Sequence, residues 1–506
     1  MAEASFFKTG RKTWTNWHQS VRQNVRDLYD LHNPDEPASV DGFRRTTAMI
    51  QGVLGQAVAQ NIPVRALGGG WSFSRAALTD GWMLNTKPLN WVFPISPGSL
   101  VPGRADQAAN LFLVQCGNNV SEINSYLETK KERSLKTTGA SNGQTIAGAV
   151  STGTHGSAID LGAMQDHVIG LHVITGPDRS IWLEPHSSPV VSQSFLNSLG
   201  FELVRDDAAF NAALVSFGGF GIIHALMIET TGRFLLEARR MRMAFSDGLK
   251  QAITSLNFAG MELPDPSSRP FFFQMVLNPH AKSKPAYVTT MYKRAFPPDY
   301  EIDYAESGGL DPGYDVLGFL GKLTDGIPEL TPFLVNKATE LRQKPFKEPK
   351  IRTLGETFNF STPRSKAAST AIGVPLADTV DALDVLDRLN DDIGPVPAIF
   401  SCRFVQRSKG TLAFTRFDPT CVIEIDGVNS KRTKRLFAAA WQALNDAGIP
   451  CTQHWGKMNN LDAASVRRSY GDDVDEWLTA RRALMPDAAH RRLFSNRFLA
   501  NLGLDG

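Results

Sequence analysis

Four cysteines in 506 residues, Cys116, Cys402, Cys421 and Cys451, stand far apart without a CxxC pair. Neither a zinc ribbon nor a redox dithiol is suggested, no metal is expected, and buried free thiols are the reading that remains. An excess of either charge is missing too, since 53 basic and 51 acidic residues leave a net +2. Without a basic block long enough to track a phosphate backbone, nucleic acid is excluded as a partner. No stretch reaches the roughly 18 apolar residues of a membrane span, and no long apolar core follows the charges of the N-terminus. A soluble, unexported, cytoplasmic protein with no membrane partner is expected, so the sequon Asn359-Phe360-Ser361 carries no meaning. There is no internal repeat and no GxGxxG turn, and Gly318 to Lys322 lacks the spacing and the hydroxyl of a P-loop. Nicotinamide and ATP readings therefore rank low.

What is present is enough apolar sequence, 42% of the chain, to build more than one core, because single cores stop growing near about 250 to 300 residues. Apolar residues at helical spacing from Val40 to Gln60 lead into a strand, Val64 to Leu67, and then a glycine turn. Short apolar segments at Leu111 to Gln115, Val168 to Thr175 and Ile222 to Ile228 read as strands of one sheet system, with a helix over Val120 to Glu128. Beyond Leu236 the texture changes to dense aromatics at Phe271 to Phe273 and a Pro/Gly/Asp-rich tract from Pro297 to Gly326, expected to be surface loop. A helix with one apolar face spans Ala377 to Leu389. Strands are expected at Ile399 to Val405, Leu412 to Phe417 and Cys421 to Ile425, giving an antiparallel sheet with helices on one side. Helices at Ala463 to Ser469 and Asp472 to Leu484 return to the first half. The fold class is α+β with two domains, 14–234 and 235–448, and a C-terminal segment, 449–506.

Two glycine-rich stretches carry the chemistry. In VRALGGGWSFS, Val64 to Ser74, a strand ends on Gly68, Gly69 and Gly70, whose missing Cβ atoms let successive N–H groups turn toward one anion. Alone, such a triplet is ordinary turn punctuation. The second stretch, TTGASNGQTIAGAVSTGTHGS from Thr137 to Ser157, is too polar for a core, yet its apolar insert Ile146 to Val150 implies partial burial. Buried polar groups need partners, and a long polar ligand with a diphosphate would supply them.

The pair of stretches resembles the flavin-binding domain of the vanillyl-alcohol-oxidase superfamily (PCMH-type FAD-binding), in the branch of aldonolactone oxidases and alditol oxidase. The resemblance extends to Asn16-Trp17, to Ser216 through Ile223, and to His454-Trp455-Gly456-Lys457. It implies a two-domain flavoprotein: a PCMH-type FAD-binding domain and a substrate domain built on an antiparallel sheet covered by helices. It also implies an FAD-dependent oxidase or dehydrogenase that moves a hydride from an alcohol or related C–H bond of a small organic substrate to flavin N5, with oxygen or another acceptor reoxidising the flavin. Arg65, Ala66, Leu67, Gly68, Gly69, Gly70, Trp71 and Ser72 would wrap the pyrophosphate. Ser141, Thr145, Gly148, Thr152, Gly153, Thr154 and His155 would complete the pocket, with Ala140 over the flavin face and Ile222 at the adenine. Trp71 stands where many relatives carry the histidine bonded to the isoalloxazine, which implies noncovalent FAD. Lys457, with His454 beside it, would hold charge near the reduced ring, and Arg403 matches the arginine of a Glu-x-Arg pair over the substrate. Ser401 replaces that glutamate, which leaves the base open between Glu424 and His454. A structural ion pair between Arg403 and Glu424 is the plainer alternative. A catalytically diverged flavin-binding protein, or an oxidase of a bulkier apolar, sterol-like alcohol, are the alternatives of function. Most of the 30 phenylalanines, among them Phe358, Phe360 and Phe404, are explained as well by core packing as by an apolar pocket.

Overall fold

The computed structural model describes residues 2–265, 268–281, 283–304, 327–359 and 367–506. Most of the Pro/Gly/Asp-rich tract, the Gly318 to Lys322 fragment and Phe360 lie outside them.

Three sheets organise the chain. The first is four-stranded, in the order Ser5–Lys8, Asp27–His32, Trp82–Asn85, Val64–Leu67. The 20-residue helix Val40–Ala59 leads into its last strand. Ser39 starts that helix by accepting the Gly42 N–H, and its apolar stripe, Ile50, Val53, Leu54 and Ala57, packs with Leu31, Val64 and Leu84 of the sheet. The second sheet has six strands, Glu202–Arg205, Ser180–Glu184, Val168–Ile174, Ile222–Glu229, Leu111–Gln115 and Val92–Pro94.

The third sheet has eight strands, antiparallel throughout: Lys350–Thr353, Phe234–Ala244, Pro285–Ala295, Phe272–Leu277, Ala398–Val405, Thr420–Val428, Ala367–Pro375 and Thr452–Gln453. Its two faces differ because side chains alternate along each strand. Phe273, Met275, Phe400, Cys402, Ile423 and Ile425 point to one side, where the helices Thr379–Ile393 and Lys431–Asp446 cover them with Leu383, Leu386, Leu436 and Trp441. Gln274, Ser401, Arg403 and Glu424 point the other way, toward a cavity shared with the glycine-rich loops. The sheet therefore separates a dry core from a polar site.

The expected strand at Leu412 to Phe417 is a correction. The segment is buried and irregular, with Leu412, Ala413 and Phe414 almost wholly enclosed. Side chains take two of its carbonyls, with Trp455 Nε1 donating to Leu412 O at 2.6 Å and Thr452 Oγ1 to Phe414 O, and a loop amide, Ser408 N, donates to Thr415 O at 2.8 Å. Apolar alternation reports burial, and here burial comes without a neighbouring strand.

In the C-terminal segment the helix Asp473–Leu484 packs against Asp207–Leu214, and Trp477 Nε1 donates to Val215 O at 3.1 Å. Met485, Leu493 and Phe494 join the core beneath Val40–Ala59.

Candidate active site

Register assembles the polar cluster. Ser401 lies directly opposite Glu424, and Arg403 is two residues farther along the same strand, so the three share one face. A carboxylate thus stands across from Ser401 on the adjoining strand. Glu424 Oε2 lies 3.0 Å from Arg403 Nη2, and Glu424 Oε1 lies 3.4 Å from Lys457 Nζ and 4.0 Å from His155 Nε2. Burial alone would push the carboxyl up, but Arg403 and Lys457 outweigh it and hold Glu424 well below the usual carboxylate range. Lys457 also donates to Ser369 Oγ at 2.6 Å and stands 3.8 Å from Asp426.

Hydrogen bonds set the two neighbouring imidazoles in opposite tautomers. His155 Nδ1 lies 2.9 Å from Gly156 O, so that nitrogen carries the proton and Nε2 keeps its lone pair. His454 Nδ1 accepts the Gly456 N–H at 2.9 Å, so its proton sits on Nε2. Burial lowers both, His155 to about 4 against the pull of Glu424 and His454 well below its ordinary value. Both rings are neutral near pH 7.

Three loops converge on this cluster. Phe73 N and Ser72 Oγ donate to Gly456 O at 2.8 and 3.2 Å, joining the first glycine-rich loop to the His454–Lys457 turn. Trp17 N donates to Gly70 O at 2.8 Å and Asn16 Nδ2 to Ser72 O at 3.0 Å, which ties the opening segment to the same loop. The glycines are needed for close approach: a Cβ on Gly68 would sit 2.0 Å from Thr145 Oγ1, and one on Gly69 would sit 2.7 Å from Gly143 O. Gly70, with φ +67°, adopts the left-handed conformation.

The cavity measures about 470 Å³. Of the residues singled out in the sequence, Trp71, Ser72, Ala140, Ser141, Thr152, Thr154, His155, Arg403, Glu424, His454 and Lys457 line it. Gly68, Gly69, Thr145 and Gly148 instead form the packed seam between the two glycine loops. Arg65, expected at a pyrophosphate, is fully buried and donates to the carbonyls of Ala76, Phe217, Gly218 and Phe494. Its side chain holds loops together. Ala66 and Leu67 belong to the Val64–Leu67 strand, and Gly153 turns at φ +73°. Ile222 begins the Ile222–Glu229 strand opposite Ile174, inside an apolar core. Trp71 stacks on Trp17 with centroids 5.2 Å apart, and its indole lies over Gly143, where a Cβ would meet it at 2.2 Å. Sequence reasoning passed over His18, Phe73, Gln274, Ser369 and Asp426 as cavity residues. Their signal is sheet register and loop contact, which no linear motif carries.

The chain is similar to several known proteins. A family model described as an FAD binding domain matches residues 43–182, and one described as D-arabinono-1,4-lactone oxidase matches residues 272–502. The chain is 23% identical over 455 residues to an L-gulono-1,4-lactone dehydrogenase of Mycobacterium tuberculosis, covering 89% of this chain and 94% of that protein. It is 27% identical over 205 residues to a D-arabinono-1,4-lactone oxidase of Candida albicans, covering 39% of this chain and 32% of the relative. Among solved structures, a cholesterol oxidase from B. sterolicum superposes with a TM-score of 0.70 at 11% identity, over 99% of this chain and 97% of that one. A solvent-stable cholesterol oxidase superposes at 0.68 with 14% identity, over 99% of this chain and 98% of that one. These likenesses show the two-domain α+β fold.

The residues present fit FAD. His18 Nδ1, Asn142 Nδ2, Gln144 Oε1 and Arg403 Nε are buried without a hydrogen-bond partner, and buried polar atoms of that kind call for a polar ligand. Three of these residues, His18, Gln144 and Arg403, line the cavity, and Asn142 lies in the loop that bounds it.

Proposed function

Because the chain belongs to the aldonolactone-oxidase branch of the PCMH-type FAD-binding superfamily and is an FAD-dependent oxidoreductase acting on CH–OH groups, we propose that its substrate is an alcohol with an apolar body, bound hydroxyl-first at Arg403, Glu424 and Lys457. The observation that supports this is the polarity of the cavity. Arg403, Glu424, Asp426 and Lys457 gather on the sheet side, while Val276, Leu334, Val335, Ala338, Ile399 and Val428 line much of the rest, with Thr339, Arg342 and Gln343 at its edge. A polyhydroxylated lactone would set hydroxyls against those side chains, at about 1–3 kcal/mol for each one left unpaired. An apolar body removes its own surface from water there at about 25 cal/mol per Å².

Ser72, Ser141, Gln144, Thr152 and Thr154 along the glycine loops would hold the cofactor without a covalent bond, and Lys457 would supply a cation to it. Bound FAD supplies the two-electron acceptor for the hydride that leaves the carbinol carbon. His155 Nε2 takes the hydroxyl proton, since it is the imidazole nitrogen in the cluster whose lone pair is not already engaged. Glu424, 4.0 Å away, steadies the imidazolium as it forms. His454 serves as a donor through Nε2–H, and Glu424, locked between two cations, is a poor base. Arg403 and Lys457 offset the negative charge that develops on the reacting oxygen.

Anaerobic mixing of the FAD-loaded protein with matched long-chain alcohols, polycyclic alcohols, polyols and aldonolactones tests the reading through bleaching of the flavin band. Apolar alcohols should bleach it about tenfold faster than polyols or more, a difference of about 1.4 kcal/mol. Bleaching by aldonolactones alone would overturn the substrate class. His155→Gln should lose rate while keeping its flavin; an unchanged reduction rate would refute the assignment of the base.

A further inference from the structure

Seven large apolar side chains stand exposed among the described residues, and five of them, Ile327, Leu330, Phe333, Leu341 and Ile351, fall within one 25-residue stretch. Scattered exposed apolar residues are ordinary, but a concentration of them marks a surface that meets something. The helix Thr331–Arg342 is the centre of this stretch. Its outward face follows helical spacing through Leu330, Phe333, Lys337, Leu341 and Lys344, with Phe333 60% and Leu341 73% exposed. Its inward face, Leu334, Val335 and Ala338, lines the cavity that ends on Glu424 and Lys457. One helix therefore carries apolar side chains both toward the site, where Thr339 and Arg342 join them, and toward solvent, where Lys337 does.

The polar residues around this patch have a sign. Between residues 327 and 352 there are five cations besides the cavity-lining Arg342, namely Lys337, Lys344, Lys347, Lys350 and Arg352, against three carboxylates, Glu329, Glu340 and Glu348. The segment is pinned to the sheet edge, with Phe346 N donating to Arg240 O at 3.1 Å and Arg240 Nη1 donating to Arg342 O at 2.9 Å. Protein interfaces are depleted in lysine. Exposed Phe and Leu flanked by lysines is instead the composition of helices that lie in the headgroup region of anionic bilayers. No helix among the described residues is long and apolar enough to cross a membrane, and surface seating requires none.

We propose that the outer face of the Thr331–Arg342 helix, with the basic segment that follows it, seats this protein on an anionic lipid surface. The inner face of the same helix then places the cavity beside the bilayer, where an apolar alcohol is dissolved. That last step rests on the substrate class proposed above, whereas the docking does not.

Co-sedimentation of the FAD-loaded protein with phosphatidylcholine vesicles, with and without about one-third phosphatidylglycerol, tests it. The protein should pellet with the anionic vesicles and release at high salt. Phe333→Ser/Leu341→Ser and Lys344→Glu/Lys347→Glu should each bind about tenfold more weakly or worse, with flavin content and melting temperature unchanged as the control for folding. Failure to pellet, or equal pelleting of the wild type and both variants, would overturn the proposal. So would a wild-type dimer that Phe333→Ser/Leu341→Ser splits, because a second copy would then cover the face. Sedimentation needs no substrate, so vesicle binding without bleaching by any apolar alcohol would sink the substrate reading and leave the docking face standing.

Discussion

Glu424→Gln keeps the shape of the side chain and removes one charge from between two cations. At an effective dielectric of about 20, Arg403 at 3.0 Å and Lys457 at 3.4 Å each attract the carboxylate by about 5 kcal/mol before desolvation is subtracted. Measured losses on breaking one side of a buried pair run at about 3–5 kcal/mol, most of it the cost of the stranded partner. Glu424→Gln and Arg403→Met should therefore each cost about 3–5 kcal/mol. The double variant should cost little more than either alone, because Lys457 still has Asp426 at 3.8 Å. Urea unfolding of the FAD-loaded protein at fixed free FAD measures the cycle. A coupling nearly as large as either single loss, about 3–4 kcal/mol, is expected, and additivity within about 0.5 kcal/mol would refute the account of a mutually neutralising cluster. Activity gives a second readout. Glu424 raises His155, so its loss should move the acid limb of any turnover that survives to lower pH.

Precipitation with acid should leave all flavin colour in the supernatant, since Trp71 offers no nucleophile for a bond to the isoalloxazine; colour retained in the pellet would refute noncovalent binding. His172 is fully buried between Phe43, Phe201 and His224, and neither ring nitrogen has a partner. Burial holds it well below the ordinary histidine value of about 6.5, so below that pH the unfolded chain binds a proton that the native protein does not. Stability from this residue is thus present above about pH 6.5 and lost as pH falls. His172→Phe should reduce the slope of unfolding free energy against pH, between about 6 and 4, by about 1.4 kcal/mol per unit. Equal slopes would mean that the native ring is protonated or paired.

The glycine loops were legible because their physics is local. A backbone that must touch another backbone permits no Cβ, and Gly68, Gly69 and Gly143 declare this in one-letter code. The helix Val40–Ala59 and the strand Val64–Leu67 were readable from period and caps. The pairing of Glu424 with Arg403 could be entertained but not fixed, since register between two strands is decided by the whole sheet. Leu412 to Phe417 misled because enclosure by loops and enclosure in a sheet leave the same apolar signature. Arg65 misled for a related reason: a buried arginine beside a glycine loop suits a phosphate and four carbonyls equally well. The tautomers of His155 and His454 depend on Gly156 O and Gly456 N, backbone atoms that exist in every sequence.

Arg65 has a consequence for how the protein comes into being. The carbonyls it gathers belong to residues 76, 217, 218 and 494, so the earliest of them leaves the ribosome more than four hundred residues before the last. Without the Phe494 carbonyl, a guanidinium buried as Arg65 is would keep only the acceptors at residues 76, 217 and 218. The seating of the first glycine loop therefore depends on a carbonyl 429 positions downstream of its own arginine, so the far C-terminal segment is a structural part of the loop it never adjoins in sequence.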